Sequence, residues 1–180
     1  RRLGFAARRT MQVAQQLYEG LDLGPLGRSG LITYMRTDST RVAAEATAQA
    51  REYIRGRYGQ QYVGRGRTSA KESSPLVQGA HEAIRPTLVQ RAPDEVRGHL
   101  SSDQARLYGL IWERFVASQM SAAVFDVVKA DIAARDCTFR ATGQTMRFPG
   151  FTAVYRDARE DPDQDKDEDG SSVLPELAKS

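Results

Sequence analysis

The pattern of apolar residues changes near residue 121, and this change limits the fold more than any other feature. Before it, apolar side chains recur every three to four residues, whereas from about Val124 they alternate with polar ones. The first spacing is typical of helices and the second of strands. We therefore predict an α+β chain, with a mainly helical domain over residues 1–121 and a β-rich segment over 122–180. That segment is too short for a sheet of the usual size, so we expect it to be incomplete.

Three segments of the first domain predict helices, at residues 4–19, 42–57 and about 102–120. Gly20 and Gly59 follow the last periodic residues of the first two and act as stop signals. Polar residues precede the second and third helices and predict their N-caps. These candidate caps are Thr37, Asp38, Ser39 and Thr40 for the second helix and Ser101 or Ser102 for the third.

The other segments predict strands and loops. Residues 31–35 read LITYM, which is β-branched and aromatic and predicts a short strand. The glycine-rich segments 21–30 and 58–80 predict loops, and Pro86 prevents a helix from continuing through residues 81–87. In the β-rich part, three residues divide the alternating runs into separate expected antiparallel strands: Gly143, Pro149 and Gly150.

Charge is unevenly distributed along the chain. The formal net charge is +3, but residues 157–180 carry −6 and the preceding residues +9. Of the basic residues, 22 are arginine and 4 are lysine. The arginine fork suits phosphate oxygens, although arginine richness is also typical of genomes with a biased base composition. We interpret residues 157–170 as an acidic loop and the rest as a surface suited to nucleic acid.

Composition excludes several classes of protein. Cys137 is the single cysteine, so no internal disulfide forms, and a reducing cytoplasmic location is expected. One cysteine and two histidines are too few for a structural zinc site, and we predict no metal ligands in this chain. No apolar run is long enough for a membrane span, and no phosphate-binding loop of the ATPase type is present. The start, RRLGFAARRT, lacks both an initiator methionine and a signal-peptide core, so we expect a piece of a larger protein.

Residues 165–176 match the spacing of a calcium-binding loop, with acidic residues at the ligand positions. Such a loop needs a helix on each side, but Pro162 precedes it and Pro175 interrupts the residues at its end. We therefore interpret the segment as a solvated acidic turn.

The string GLITYMRTDST, residues 30–40, is the first candidate for chemistry. Tyr34 and Arg36 are two residues apart in a predicted strand, so both side chains lie on one face. An arginine there could lower the pKa of the phenol or bind a phosphate under attack. The alternative is a tyrosine packed in the core beside an exposed arginine and an ordinary helix cap.

The string HEAIRPT, residues 81–87, is the second candidate. A zinc protease helix requires histidine at its first and fifth positions, but Arg85 occupies the fifth, which excludes that interpretation. His81 could contact a phosphate or transfer a proton, and the alternative is a solvated loop histidine.

Together with QGAHEAIRPT, the string GLITYMRTDST resembles the active-site blocks of bacterial type IA DNA topoisomerases of the topoisomerase I branch. LGFAARRTMQVAQQLYEG and YGLIWERFVASQM are similar to the family's flanking helices. The resemblance implies that Tyr34 attacks a DNA phosphodiester and forms a 5′-phosphotyrosyl link, while Arg36 and His81 hold the phosphate or stabilise the transition state. It also implies DNA contacts by Asp38, Ser39 and Arg85, and roles as orienting partners for Asp38, Glu82 and Arg85.

The same resemblance sets expectations for the rest of the protein. It implies a winged-helix-like tyrosine domain followed by part of an arch-forming domain. The Mg²⁺ of the reaction would be bound by a Toprim domain that this chain lacks. We expect single-stranded DNA and the remaining domains of the enzyme as partners, no membrane, and a nucleoid-associated location. The alternatives are a DNA-binding module that does not cleave, or the equivalent region of topoisomerase III or reverse gyrase.

Overall fold

The structure is a computed structural model, and it describes residues 2–64 and 82–155. The chain divides into two units, Arg1–Ser121 and Ala122–Ser180, at the position where the sequence pattern changes. His81 and the acidic segment 157–180 lie outside the described residues. The α+β prediction is confirmed, because helices dominate the first unit and a β-hairpin dominates the second.

Four helices and one small hairpin form the described part of the first unit. The helices are α1 (Ala7–Glu19), α2 (Ala44–Tyr58), the short α3 (Pro93–Val96) and α4 (Ser102–Ser118). Strands β1 (Leu21–Asp22) and β2 (Arg28–Ser29) pair antiparallel within the segment that the sequence predicts to be a loop. Within the described ranges, no helix has the length and apolar character needed to cross a bilayer.

Local sequence signals position the ends of three helices. α1 stops at Gly20, whose φ of 103° few other residues adopt, and α2 stops at Gly59 with the same φ. α4 begins with a capping box, in which the Ser101 hydroxyl accepts from the Gln104 amide and the Gln104 side chain accepts from the Ser101 amide. These predicted boundaries are confirmed to within a few residues.

The core of the first unit lies between α1 and α4, where Leu17 and Val116 are fully buried. The side chains of two aromatic residues on α4 donate hydrogen bonds to backbone carbonyls of the segment before α3. The Tyr108 hydroxyl donates to the Arg91 carbonyl at 2.6 Å, and the Trp112 indole donates to the Val89 carbonyl at 2.9 Å. Burial raises the pKa of the Tyr108 phenol well above its ordinary value. α4 therefore fixes the segment that enters from the HEAIRPT motif.

Two predictions for the first unit are wrong in detail. The polar run 37–40 does not cap α2, which begins after Ala43 without a side-chain cap. Residues 31–35 do not form a strand, because only Ile32 pairs, in an isolated antiparallel bridge with Pro86. Both regions contact the HEAIRPT segment, which is distant in sequence, because the Ala43 amide binds Glu82 and Ile32 pairs with Pro86.

The second unit is described for residues 122–155 and contains one long hairpin, β3 (Val124–Ala134) with β4 (Cys137–Phe148). Gly143 lies inside β4 and pairs with Val128, so it does not divide two strands as predicted. Residues 150–153 form a 3₁₀ turn instead of a strand. Gly150 has a φ of 50°, and a side chain there would collide with the Ala122 carbonyl.

We expect Ser101→Ala to lower the free energy of unfolding of the first unit by about 1 kcal/mol, because it removes the N-cap acceptor of α4. Ser102→Ala, one residue further along and without the cap contact, is the control and should change stability by only a few tenths of a kcal/mol. Urea unfolding followed by the fluorescence of Trp112, the single tryptophan, measures this unit. Equal decreases in the free energy of unfolding of the two variants would contradict the capping role of Ser101.

Candidate nucleic-acid interface

The two sequence motifs meet in the folded chain, although they are about fifty residues apart. The Thr33 amide donates to the Arg85 carbonyl at 2.9 Å, and the Thr87 amide donates to the Leu31 carbonyl at 3.0 Å. The Thr33 hydroxyl donates to the Ala83 carbonyl at 2.9 Å and accepts from the Arg85 amide at 3.0 Å. The Thr87 hydroxyl donates to the Gly30 carbonyl at 2.8 Å, so one threonine from each motif supplements the backbone pairing.

Glu82 and Arg85 form a brace beside this pairing. Arg85 donates from Nε and Nη2 to the two Glu82 carboxylate oxygens, at 2.6 and 3.1 Å, and from Nη1 to the Pro86 carbonyl at 3.0 Å. Glu82 Oε1 also accepts from the Ala43 amide at 2.9 Å, directly before α2. The carboxylate therefore binds the backbone amide of the N-cap residue, Ala43, and the Arg85 side chain is only 14% exposed.

The environment of Glu82 favours its charged form. Partial burial raises the pKa of its carboxyl, but the hydrogen bonds from Arg85 and Ala43, with the positive charges of Arg85 and Arg41, outweigh burial. The pKa therefore lies below its ordinary value of 4.5. A DNA contact by Arg85, which the resemblance implies, stays a prediction, and Glu82 and the Pro86 carbonyl already engage three of its guanidinium N–H groups.

Tyr34 lies at the surface, with 48% of the residue exposed between the buried Ile32 and Met35. Its ring meets the ring of Tyr18, at the end of α1, edge to face, with 5.3 Å between centroids. A tyrosine in the core is therefore excluded. In the described part of the chain, no hydrogen bond engages the Tyr34 hydroxyl, which leaves it accessible to a substrate.

The residues after Tyr34 form an irregular loop. Arg36 is exposed, and its guanidinium has no ion pair or hydrogen bond among the described residues. Asp38 is exposed as well. The Ser39 amide donates to the Thr37 hydroxyl at 3.0 Å, and the Ser39 hydroxyl accepts from the Arg41 amide at 3.2 Å. The two hydroxyls therefore shape the loop by binding its own backbone.

Arg36 also borders an open groove of about 780 Å³ along α1. Guanidinium and carboxamide groups supply most of its polar atoms. The lining residues are Arg8, Arg9, Met11, Gln12, Val13, Gln15, Gln16, Arg36, Ser101 and Asp103. Asp103 is the single acidic member of this lining, and Arg9 pairs with it. We name this surface the α1 groove, and its donors match the acceptor oxygens of a phosphate backbone.

The α1 groove is the feature that sequence reasoning missed. Residues 8, 12 and 15 are spaced by four and three, so they lie on one face of α1, opposite the buried Leu17. This spacing was visible in the sequence as a polar helix face. The position of this face next to Arg36 was not visible in the sequence, because it depends on the path that the chain takes after β2.

A metal site is not evident among the described residues, since no three His, Cys, Asp or Glu side chains lie close enough to share an ion within residues 2–64 and 82–155. The acidic string 165–176 and His81 fall outside these ranges, so their interpretations stay predictions.

The sequence matches the family model described as DNA topoisomerase over residues 1–180. The fold is similar to full-length topoisomerase I from Thermotoga maritima, with 41% sequence identity and a TM-score of 0.73. This similarity covers 86% of the present chain and 24% of that protein, so the chain spans about a quarter of its relative. The chain belongs to the bacterial type IA DNA topoisomerase family.

We expect Glu82→Gln to lower the free energy of unfolding by about 1 kcal/mol at neutral pH, because it removes a charge-assisted hydrogen bond to Arg85. Since folding lowers the pKa of Glu82, its contribution is present above the ordinary value of 4.5 and is lost as the pH falls below it. Urea unfolding of the wild type and of Glu82→Gln should therefore show that their difference in free energy of unfolding decreases as the pH is lowered through this range.

The control for this experiment is Glu52→Gln. Glu52 pairs with Arg55 on the surface of α2, and both side chains are largely exposed, so its loss should cost only a few tenths of a kcal/mol. A difference between wild type and Glu82→Gln that stayed constant with pH would mean that the carboxylate charge is not what stabilises the brace.

Proposed function

We propose that this chain carries the nucleophile with which a type IA DNA topoisomerase cleaves one strand of DNA transiently. The observation that carries the proposal is the exposed Tyr34 hydroxyl close in sequence to Arg36, which borders the α1 groove and has no ion pair among the described residues. Family membership supplies the reaction class. The hydroxyl attacks a backbone phosphorus, a Tyr34 Oη–P bond forms, and the bond from phosphorus to the 3′ oxygen breaks.

The remaining steps follow from the balance of this reaction. The phenol gives its proton to a base, the leaving 3′ oxygen takes one up, and a 5′-phosphotyrosyl link remains. Because the new ester bond replaces the old one, religation by the reverse attack needs no ATP. Between the two steps the other strand passes through the break, which relaxes negative supercoils.

Each candidate residue has a role in this proposal. Arg36 holds the scissile phosphate and offsets the negative charge that grows on the transition state. His81 assists at the phosphate, and Asp38 and Ser39 contribute DNA contacts. Glu82 and Arg85 act as positioning residues, because their brace joins the HEAIRPT motif to the start of α2.

The complete enzyme supplies the groups that this chain does not present. We propose that the Mg²⁺ of the reaction binds to a Toprim domain, and that the second unit belongs to the arch domain. The 180-residue chain alone should therefore not relax DNA. The similarity to a topoisomerase I favours that branch over topoisomerase III and reverse gyrase. We place the enzyme at the nucleoid in the bacterial cytoplasm.

A second candidate function is a single-stranded DNA-binding module that does not cleave. The α1 groove favours it, because the groove offers donors for phosphate whether or not Tyr34 reacts. The two functions differ in one observable, the covalent adduct.

In the full-length enzyme, Tyr34→Phe should abolish both relaxation and the covalent adduct while leaving DNA affinity nearly unchanged, since only the attacking hydroxyl is lost. Tyr18→Phe is the matched control, because its ring packs against Tyr34 but its hydroxyl has no role in the reaction. Denaturing gel electrophoresis of a labelled oligonucleotide detects the adduct. An adduct that survives in Tyr34→Phe, or none in the wild type, would refute the assignment.

We expect Arg36→Ala to slow adduct formation at saturating DNA by about 10²–10³-fold, because it removes a cation aimed at the developing charge. The DNA affinity should fall much less. Arg36→Lys should restore part of the rate, since it keeps the charge but loses the two-pronged geometry. Single-turnover cleavage over a range of DNA concentrations separates rate from affinity, and an unchanged saturating rate would limit Arg36 to binding.

A further inference from the structure

We propose that Arg8 and Gln12 on α1, together with Arg36, form a track for the backbone of the single-stranded DNA that flanks the scissile phosphate. This proposal rests on the proposed function, because it takes the strand cleaved at Tyr34 as the occupant. It adds Arg8 and Gln12 as contacts for the flanking strand beyond the contact that Arg36 makes with the reacting phosphate.

The face of α1 that lines the groove is built for contact with a ligand. Arg8 and Gln12 are one helical turn apart and exposed, and Met11 beside them is 41% exposed. The opposite face is buried through Ala14 and Leu17, so it holds the helix in the core. The exposed face thus offers polar donors for phosphates and, in Met11, an adaptable apolar surface for bases. We leave Gln15 out of the track because its amide contacts Glu19.

The charge of the groove selects an anionic occupant. Three arginines line it, and the single acidic residue, Asp103, is paired with Arg9. Arg8 and Arg36 therefore carry positive charge that no ion pair offsets within the described residues. Guanidinium groups bind phosphate oxygens with two parallel hydrogen bonds, and a row of phosphates can engage both arginines at once.

The length of α1 sets the distance along the strand. Arg8 precedes Tyr18 by ten residues, which is about 15 Å along the helix axis, and the Tyr18 ring contacts Tyr34. At about 3.4 Å per stacked nucleotide, a strand attached at Tyr34 reaches Arg8 after about four nucleotides. The track therefore contacts DNA on one side of the cleavage site and leaves the other side untouched.

The test measures binding in the full-length enzyme with Tyr34→Phe, so that cleavage does not interfere. Fluorescence anisotropy follows a labelled oligonucleotide that extends about ten nucleotides to each side of the cleavage site. Added Arg8→Ala should weaken binding about three- to tenfold at low salt. The slope of log K against log salt should become shallower by about 0.7, the value for one phosphate contact on a single strand.

Arg57→Ala is the matched control, because Arg57 is an exposed helical arginine that does not line the groove. It should leave the affinity and the slope nearly unchanged, while Arg8→Lys should retain most of the binding. Removing the nucleotides on one side of the cleavage site should abolish the effect of Arg8→Ala, and removing those on the other side should not.

Two results would overturn the track. One is an unchanged salt slope in Arg8→Ala. The other is a loss of DNA affinity in Arg57→Ala equal to that in Arg8→Ala, which would assign the effect to the overall charge of the protein. With Tyr34 restored, Arg8→Ala should need about three- to tenfold more DNA to reach half of its maximal rate of adduct formation, whereas Arg57→Ala should form the adduct as the wild type does. Failure of the proposed function is recognised separately, by an adduct that does not depend on Tyr34.

Discussion

The hydroxyl of Thr33 joins two stretches of chain about fifty residues apart, and the candidate site depends on this junction. It donates to the Ala83 carbonyl and accepts from the Arg85 amide, so it satisfies two backbone groups where the segments pair at only one bridge. Together with the Thr87 hydroxyl, which donates to the Gly30 carbonyl, the Thr33 hydroxyl supplements the two backbone hydrogen bonds that join the motifs. Tyr34 is the next residue and is therefore held at a defined place on the surface.

The folded chain separates residues that look equivalent in the motifs. Arg36 and Arg85 are both arginines beside candidate catalytic residues, yet Arg85 binds Glu82 and a carbonyl whereas Arg36 faces the α1 groove. Arg85 is therefore held by partners within the chain, whereas the Arg36 guanidinium has none among the described residues. The HEAIRPT motif therefore contributes to the architecture of the first unit, because Glu82 also binds the amide before α2.

Predictions from the sequence held where the physical cause was local. Gly20 and Gly59 end helices through their own backbone conformation, and Ser101 starts one through a contact three residues away. The predictions were wrong at positions that contact residues distant in the sequence. The N-cap of α2 is Ala43 and not a residue of 37–40, and the distant Glu82 binds the Ala43 amide. Gly143 continues β4 because cross-strand pairing with Val128 outweighs its low strand preference.

The sequence by itself determined the α+β class, the change of structure near residue 121, and which two motifs carry the candidate chemistry, because periodicity, helix signals and residue type are properties of short segments. The tertiary structure decided which of those residues are available. Tyr34 is exposed and packs its ring on Tyr18, and Arg36 lines the groove along α1. Arg85 forms an ion pair with Glu82. Exposure and pairing depend on which distant segments meet, and no local pattern contains that information.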